Sequence, residues 1–151
     1  MMLWASQTAN RRTVSLGLST RLVLPPHPGS LRLGRHATLA WLQVAPQRYD
    51  NGTVLLLVTE LLAEALEQAN GPLVLTVAAE DRQVRVEVAA GAPPETVPGR
   101  GSRLKMTALL ADQWGVELRL PDEEPAQRVV WFACRCLLPE RGRQGRVTRS
   151  G

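Results

Sequence analysis

The sequence lacks any apolar run long enough to cross a membrane. Its longest run, VLLLV at 54–58, falls far short of the roughly 20 apolar residues that a membrane-spanning helix requires. The opening residues, MMLWASQTANRR, also lack the basic-then-apolar order of a secretory signal peptide. Together these absences predict a cytoplasmic protein that has no membrane partner.

Cysteine and histidine are both scarce. Cys134 and Cys136 are separated by one residue, so in a strand they would point to the same face and could not readily bridge each other. His27 and His36 lie far away in sequence, and a structural zinc site is therefore not indicated. We expect both cysteines to be small buried apolar residues.

The net charge of +4 arises at the two ends of the chain. Arg11 and Arg12 lie in an opening segment, residues 1–12, which we expect to be flexible. Four further arginines and a single acid lie in residues 139–151, which we expect to form a basic disordered tail. The intervening residues 13–138 are close to neutral and read as one domain, so the fold itself is not expected to bind nucleic acid.

The first elements read as a strand followed by a helix. Apolar residues at even positions from Val14 to Leu24 indicate a half-buried strand. After the breaker PPHPG, Ser30 is predicted to cap a helix over 31–44 that one internal glycine weakens. The apolar side of this helix is expected to comprise Leu31, Leu39, Ala40, Trp41 and Leu42.

A second helix is predicted to begin near Asp50–Thr53, where several residues can cap it. The sequence Asn70–Gly71–Pro72 is a strong stop signal. Apolar residues at helical spacing trace one face of this helix. That face is expected to comprise Leu55, Val58, Leu62, Ala65, Leu66 and Ala69.

Three glutamates on the second helix form a row of like charges. Glu60, Glu64 and Glu67 are expected to lie off the apolar face, where solvated acids usually lie. Glu60 and Glu64 are one turn apart, and like charges at that spacing are mildly destabilising. No lysine or arginine occurs between Arg48 and Arg82 to neutralise them.

The rest of the chain alternates between strands, a long loop and a third helix. The predicted elements are a hairpin of strands 72–79 and 83–90, a Pro/Gly-rich loop over 90–102, a helix over 103–114 that ends at Gly115, and closing strands over 116–120 and 127–138. Clustered strands with grouped helices predict an α+β fold: a two-layer sandwich with a mixed or antiparallel sheet and helices on one face.

Five segments share a pattern of motifs: VTELLAEAL at 58–66, VRVEVAAGAP at 84–93, GRGS at 99–102, LLADQWGVELRL at 109–120 and VVWF at 129–132. Together they resemble the GHKL (Bergerat-fold) ATPase superfamily, in particular the actinobacterial form of the anti-sigma-factor serine kinases. The resemblance covers roughly residues 13–138. It implies a Bergerat-like sandwich whose second helix and third-helix loop surround a nucleotide cleft.

The resemblance also implies roles for individual residues of that cleft. A family motif like E-L-V-T-N-A places the presumed catalytic base at Glu60 and a magnesium-binding asparagine at position 64, where this chain has Glu64. A motif like V-A-D-G-S-P has an aspartate that accepts a hydrogen bond from adenine. Here the segment reads VAAGAP, so Ala90 replaces the aspartate while Gly91 is retained.

The third family motif is a glycine pair that holds the phosphates with backbone N–H groups. Gly99 and Gly101 keep this pattern. Counting back from Trp114–Gly115 with the usual spacing instead puts Arg103 at the last glycine position. Either two residues are inserted or the motif is eroded.

These departures weaken the expected nucleotide site. Losing one charged hydrogen bond costs about 1.5–3 kcal/mol, and two such losses lower ATP affinity by roughly two to four orders of magnitude. We therefore expect no cofactor, and a regulator that binds another protein: a sigma factor, an anti-anti-sigma-type antagonist or a transcription regulator. Relatives often dimerise, so a homodimer is compatible with this expectation.

Two alternative functions stay open at this stage. The chain could be an active Mg·ATP-dependent serine/threonine kinase in which Glu60 removes the substrate proton and Glu64 holds the metal. It could also be a nucleic-acid-associated protein that uses the basic tail over 139–151.

Overall fold

The computed structural model describes residues 18–92, 103–120 and 126–138, which form one five-stranded sheet and three helices. In chain order the elements are β1 (Ser19–Leu24), α1 (Gly29–Val44), α2 (Asn51–Gln68), β2 (Leu73–Glu80), β3 (Gln83–Gly91), α3 (Lys105–Leu110), β4 (Gln113–Arg119) and β5 (Gln127–Arg135). The strand order is β1-β2-β3-β5-β4, and every neighbouring pair is antiparallel. The α+β sandwich is confirmed, with the antiparallel form of the sheet.

Alternation along the central strands places the core on one face of the sheet. Leu75 and Val77 of β2 and Val86 of β3 are fully buried, while their sequence neighbours are more exposed. These side chains share one hydrophobic cluster with Leu57 and Leu61 of α2. Burying one such side chain contributes about 1.5–3 kcal/mol, so the contact between α2 and the sheet is the main stabilising layer.

The β2–β3 hairpin follows its prediction closely. Asp81 and Arg82 form a two-residue connection with φ values of 51° and 63°. Two positive φ angles are the mark of a type I′ turn, whose twist matches that of paired strands. Glu80 therefore pairs with Gln83, and the register continues to the pair Leu73 and Ala90.

The start of α1 differs from its prediction. The helix begins at Gly29, and no side chain caps its first turn at Pro28. The Ser30 hydroxyl instead donates a hydrogen bond to the Pro25 carbonyl oxygen at 2.6 Å, so the predicted serine cap is wrong. The Gly29 N–H donates to His27 Nδ1 at 2.9 Å. This bond gives a partner to one of the first amides of the helix, which otherwise lack one.

The buried side of α1 agrees with its prediction only in part: Trp41 and Leu42 are buried as expected. Ser30, Gly34 and Thr38 are buried, whereas Leu39 and Ala40 are exposed, contrary to the expected apolar side. The reason is close helix packing, because a Cβ atom at Gly34 would overlap Leu62 Cδ1. The glycine that seemed to weaken α1 is thus the point where α1 and α2 approach each other.

The segment predicted as a long third helix divides into a short helix and a strand. Only Lys105–Leu110 are helical, and Gln113, Trp114 and Gly115 belong to β4. The Asp112 N–H donates to the Ala133 carbonyl oxygen at 3.0 Å, and Trp114 pairs with Phe132. Backbone pairing with β5 therefore overrides the helical pattern that the sequence suggests.

The sheet face opposite the core carries an ion-pair network. Glu87 on β3 pairs with Arg85 at 3.0 Å and with Arg119 on β4 at 2.9 Å. Burial opposes the ionisation of Glu87, but the two guanidinium groups outweigh it and lower the pKa of this carboxyl group. The Arg85 guanidinium also stacks on the Trp131 ring, 4.0 Å from its centroid.

The cysteine prediction is confirmed. Cys134 and Cys136 are free thiols, and both are buried. Burial, with smaller effects from the charges of Asp112 and Asp50, raises the pKa of the Cys134 thiol to about 11. The described residues contain no group of three or more side chains of His, Cys, Asp or Glu that could hold a metal ion.

Several predictions lie outside the described residues: the flexible segment 1–12, the strand start at 14–17, most of the loop over 90–102, and the tail 139–151. Within the described ranges, no helix is long and apolar enough to cross a membrane.

Candidate functional site

Helix α2 positions the acidic residues of the candidate site. Asp50 caps this helix as expected, because its Oδ1 accepts a hydrogen bond from the Thr53 N–H at 3.1 Å. Glu60, Glu64 and Glu67 follow each other along its second half. Each carboxylate has its own partner, and each partner comes from beyond the helix, so the three glutamates do not form one solvated row.

Glu60 is bound to the first turn of α3. Its Oε1 accepts hydrogen bonds from the Thr107 N–H at 2.7 Å and from the Thr107 hydroxyl at 2.6 Å. Its Oε2 accepts one from the Met106 N–H at 3.0 Å. The first amides of a helix lack intrahelical partners and favour a negative charge, so Glu60 joins α2 to α3.

Glu64 lies inside the protein and forms an ion pair with Arg128 of β5. Its side chain is only 2% exposed, and that of Arg128 is 5% exposed. Arg128 Nη1 donates to Glu64 Oε2 at 2.9 Å, and Nη2 donates to Oε1. The prediction that Glu64 lies off the buried face of α2 is wrong, because this bidentate contact neutralises its charge within the core.

Ala90 and Gly91 end strand β3 next to this ion pair. Ala90 is buried and lies directly opposite Arg128 in the register of β3 and β5. Its methyl group has no atom that can accept a hydrogen bond. At Gly91 a Cβ atom would lie 3.0 Å from the Asn70 carbonyl oxygen, so this position favours glycine through close backbone contact.

Glu67 and Arg103 form a third contact between α2 and the segment before α3. Arg103 Nε lies 3.0 Å from Glu67 Oε2, and the Arg103 side chain is 68% exposed. An exposed ion pair of this kind contributes little to stability, about 0–1 kcal/mol. Gly99 and Gly101, the other residues expected near the phosphates, lie outside the described residues.

The structure therefore brings Glu64 and Ala90 together at Arg128. Glu60 contacts α3, and Arg103, just before α3, contacts Glu67 of α2. Magnesium prefers oxygen ligands, and both oxygens of Glu64 are directed at a guanidinium group. A metal ion would have to displace Arg128 from this carboxylate. The arrangement is suited to holding α2 against β5.

Sequence reasoning missed Arg128 and Thr107. A signal for Arg128 was available, since it is one of only two charged residues in the otherwise largely apolar strand Gln127–Arg135. A charged side chain on the core-facing side of a strand is rarely buried without a partner. Thr107 gave no comparable signal, because its hydroxyl acts only once α3 is placed beside Glu60.

No protein-family model matches this chain, and no curated protein gives a significant match to it.

Proposed function

We propose that this chain is a non-catalytic regulator that acts by binding another protein and binds ATP weakly or not at all. The observation that carries the proposal is the buried Glu64–Arg128 ion pair. The resemblance to anti-sigma-factor kinases puts Glu64 at the magnesium position, and Arg128 already occupies that carboxylate. The partner that the resemblance implies is a sigma factor, an anti-anti-sigma-type antagonist or a transcription regulator.

The cost of opening the ion pair supports this proposal. Separating one member of a buried pair from the other typically costs 3–5 kcal/mol, by order of magnitude, because a charge is then left without compensation. A metal ion at Glu64 would have to offset about that amount before contributing any net affinity. In terms of dissociation constants, the penalty corresponds to roughly two to four orders of magnitude.

The adenine side of the expected cleft supports the same conclusion. An acceptor at position 90 would read the adenine amine, and Ala90 has none. The nearest charged group in the strand register is the Arg128 guanidinium, which can only donate hydrogen bonds. The side chains of Ala90 and Arg128 therefore offer no acceptor for the amine of adenine.

The kinase alternative depends on Glu60, whose position in the motif is retained. A general base must reach the proton that it removes. In this structure both Glu60 oxygens accept hydrogen bonds from Met106 and Thr107 of α3. These contacts favour a positioning role, in which Glu60 fixes α3 against α2.

Isothermal titration of the full chain with Mg·ATP tests the proposal. We expect a dissociation constant of about 1 mM or weaker, as two missing contacts and an ion pair predict. A micromolar dissociation constant would overturn the proposal. Phosphate transfer from ATP to a candidate antagonist protein, if abolished by Glu60→Ala, would support the kinase instead.

Two variants make the titration sharper. Glu64→Asn with Ala90→Asp restores both family residues and places a carboxylate opposite Arg128. We expect this double variant to bind Mg·ATP at least about tenfold more tightly than the original chain. Glu67→Asn changes an exposed glutamate on the same helix and is the matched control, with no expected gain. If the double variant gains nothing, the assignment of positions 64 and 90 to a nucleotide cleft is wrong.

A further inference from the structure

A groove between α1 and α2 forms a second surface feature, separate from the Glu64–Arg128 pair. Its volume is about 450 Å³. We call it the α1–α2 groove and define it by six of its lining residues: Leu31, Arg32, Arg35, His36, Leu39 and Leu55. The groove lies at the surface of the described part of the chain.

The groove exposes apolar side chains that the core covers only in part. Helix α1 directs Ser30, Gly34 and Thr38 toward the interior, so some of its leucine side chains are exposed. Leu39 is 38% exposed, and Leu55 of α2 is only half-buried. An apolar surface beside polar residues is typical of a site where another molecule binds.

The charges around the groove have one sign. Helix α1 contains Arg32, Arg35 and His36 and no acidic residue. None of the ion pairs between described residues involves Arg32 or Arg35. The groove therefore combines apolar contacts with guanidinium groups that an incoming carboxylate can reach.

We infer that the α1–α2 groove binds an acidic amphipathic helix of a partner protein; this inference rests on the proposed function as a protein-binding regulator. Leucine-type side chains of the partner helix would contact Leu39 and Leu55. Its carboxylates would pair with Arg32 and Arg35. A helix that lays one apolar face into a groove is a common mode of peptide recognition, and the charges fix its orientation.

Charge also argues against the other occupants. Residues 1–17 contain Arg11 and Arg12 and no acid, and residues 139–151 contain four arginines and one glutamate. If either end of the chain bound the groove, its arginines would lie near Arg32 and Arg35 and be repelled by them. A second copy in a two-fold dimer would place the same patch against itself, so the Arg32 and Arg35 groups would face their own copies.

A panel of synthetic helical peptides provides the test. Each peptide spans about four helical turns, with leucines on one face and glutamates beside them; its matched partner has lysine at every glutamate position. Binding to the full chain is measured by fluorescence anisotropy, and the site by NMR shifts of the Leu39 and Leu55 methyl groups. We expect at least one acidic peptide to bind below about 100 µM and the lysine versions to bind at least about tenfold more weakly.

Charge-reversal variants assign the binding to the groove. The double variant Arg32→Glu with Arg35→Glu is expected to bind the acidic peptide at least about tenfold more weakly than the original chain. The control, Arg21→Glu with Arg48→Glu, changes the net charge equally at two other exposed positions and is expected to leave affinity within about twofold. Equal loss in both variants, or no binding by any acidic peptide, would overturn the inference.

Two further outcomes separate this inference from the proposed function. If the chain is a dimer by sedimentation and Arg32→Glu with Arg35→Glu makes it monomeric, the groove binds a second copy and the inference is wrong. A Mg·ATP titration on the same sample tests the proposed function alone. Weak ATP binding together with failed peptide binding would overturn only the docking site.

Discussion

Removing Arg128 should destabilise the protein far more than removing any exposed charge. In Arg128→Met the Glu64 carboxylate stays buried, since its side chain is only 2% exposed, but it loses both of its guanidinium hydrogen bonds. Leaving a buried charge unpaired costs about 3–5 kcal/mol. The free energy of unfolding of a typical domain is about 5–15 kcal/mol, so this loss is a large share of the total.

Replacing both members of the pair should behave differently. In the double variant Glu64→Leu with Arg128→Met, neither position carries a buried charge, and apolar atoms fill a similar volume. Such replacements are often neutral, or stabilising by about 1–4 kcal/mol. We expect the double variant to recover at least the loss caused by Arg128→Met alone, which is a strong coupling between the two positions.

Urea unfolding followed by tryptophan fluorescence measures these free energies, because Trp41 and Trp131 are partly or fully buried in the folded protein. The matched control is Arg103→Met, which breaks the exposed pair with Glu67 and should cost about 0–1 kcal/mol. A loss below about 1 kcal/mol for Arg128→Met would contradict the inference that a buried ion pair joins α2 to β5.

The remaining predictions concern the helix contact and the outer sheet face. Gly34→Ala should lower the free energy of unfolding by about 1–3 kcal/mol despite the better helix propensity of alanine, because the new Cβ atom overlaps Leu62 Cδ1; a stabilised variant in the same urea assay would contradict this. Glu87 has a lowered pKa in the folded state, so its contribution is complete above the unfolded value of about 4.5 and is lost as pH falls through the lower folded value. Glu87→Gln should therefore flatten the acid side of the stability–pH curve, and an unchanged acid slope would exclude this role.

Local sequence patterns predicted the elements whose partners are near in the chain. The β2–β3 hairpin follows from alternating valines and a two-residue turn, and the start of α2 follows from the Asp50 cap. The segment predicted as a helix over 103–114 was predicted less well, because its local residue pattern favours a helix throughout. Its last residues form a strand instead, because they pair with β5, which comes later in the chain: Gln113 pairs with Ala133 and Trp114 pairs with Phe132.

The candidate site was only partly predictable for a related reason. Sequence spacing placed Glu60 and Glu64 one turn apart, and the structure keeps that spacing. It could not reveal that one carboxylate turns toward α3 while the other turns inward, since Thr107 and Arg128 are contributed by distant parts of the chain. A charge without a nearby partner in sequence was therefore interpreted as solvated, although its partner lies across the fold.

The Glu64–Arg128 pair also constrains how this sequence can diverge. A single exchange to an uncharged residue at either position leaves a buried charge alone, at a cost of about 3–5 kcal/mol out of a typical stability of about 5–15 kcal/mol. The two positions should therefore change together, or change only after another substitution has made the first exchange harmless. Among related sequences, an uncharged residue at position 64 should accompany an uncharged residue at position 128, and the two positions would record one shared evolutionary event.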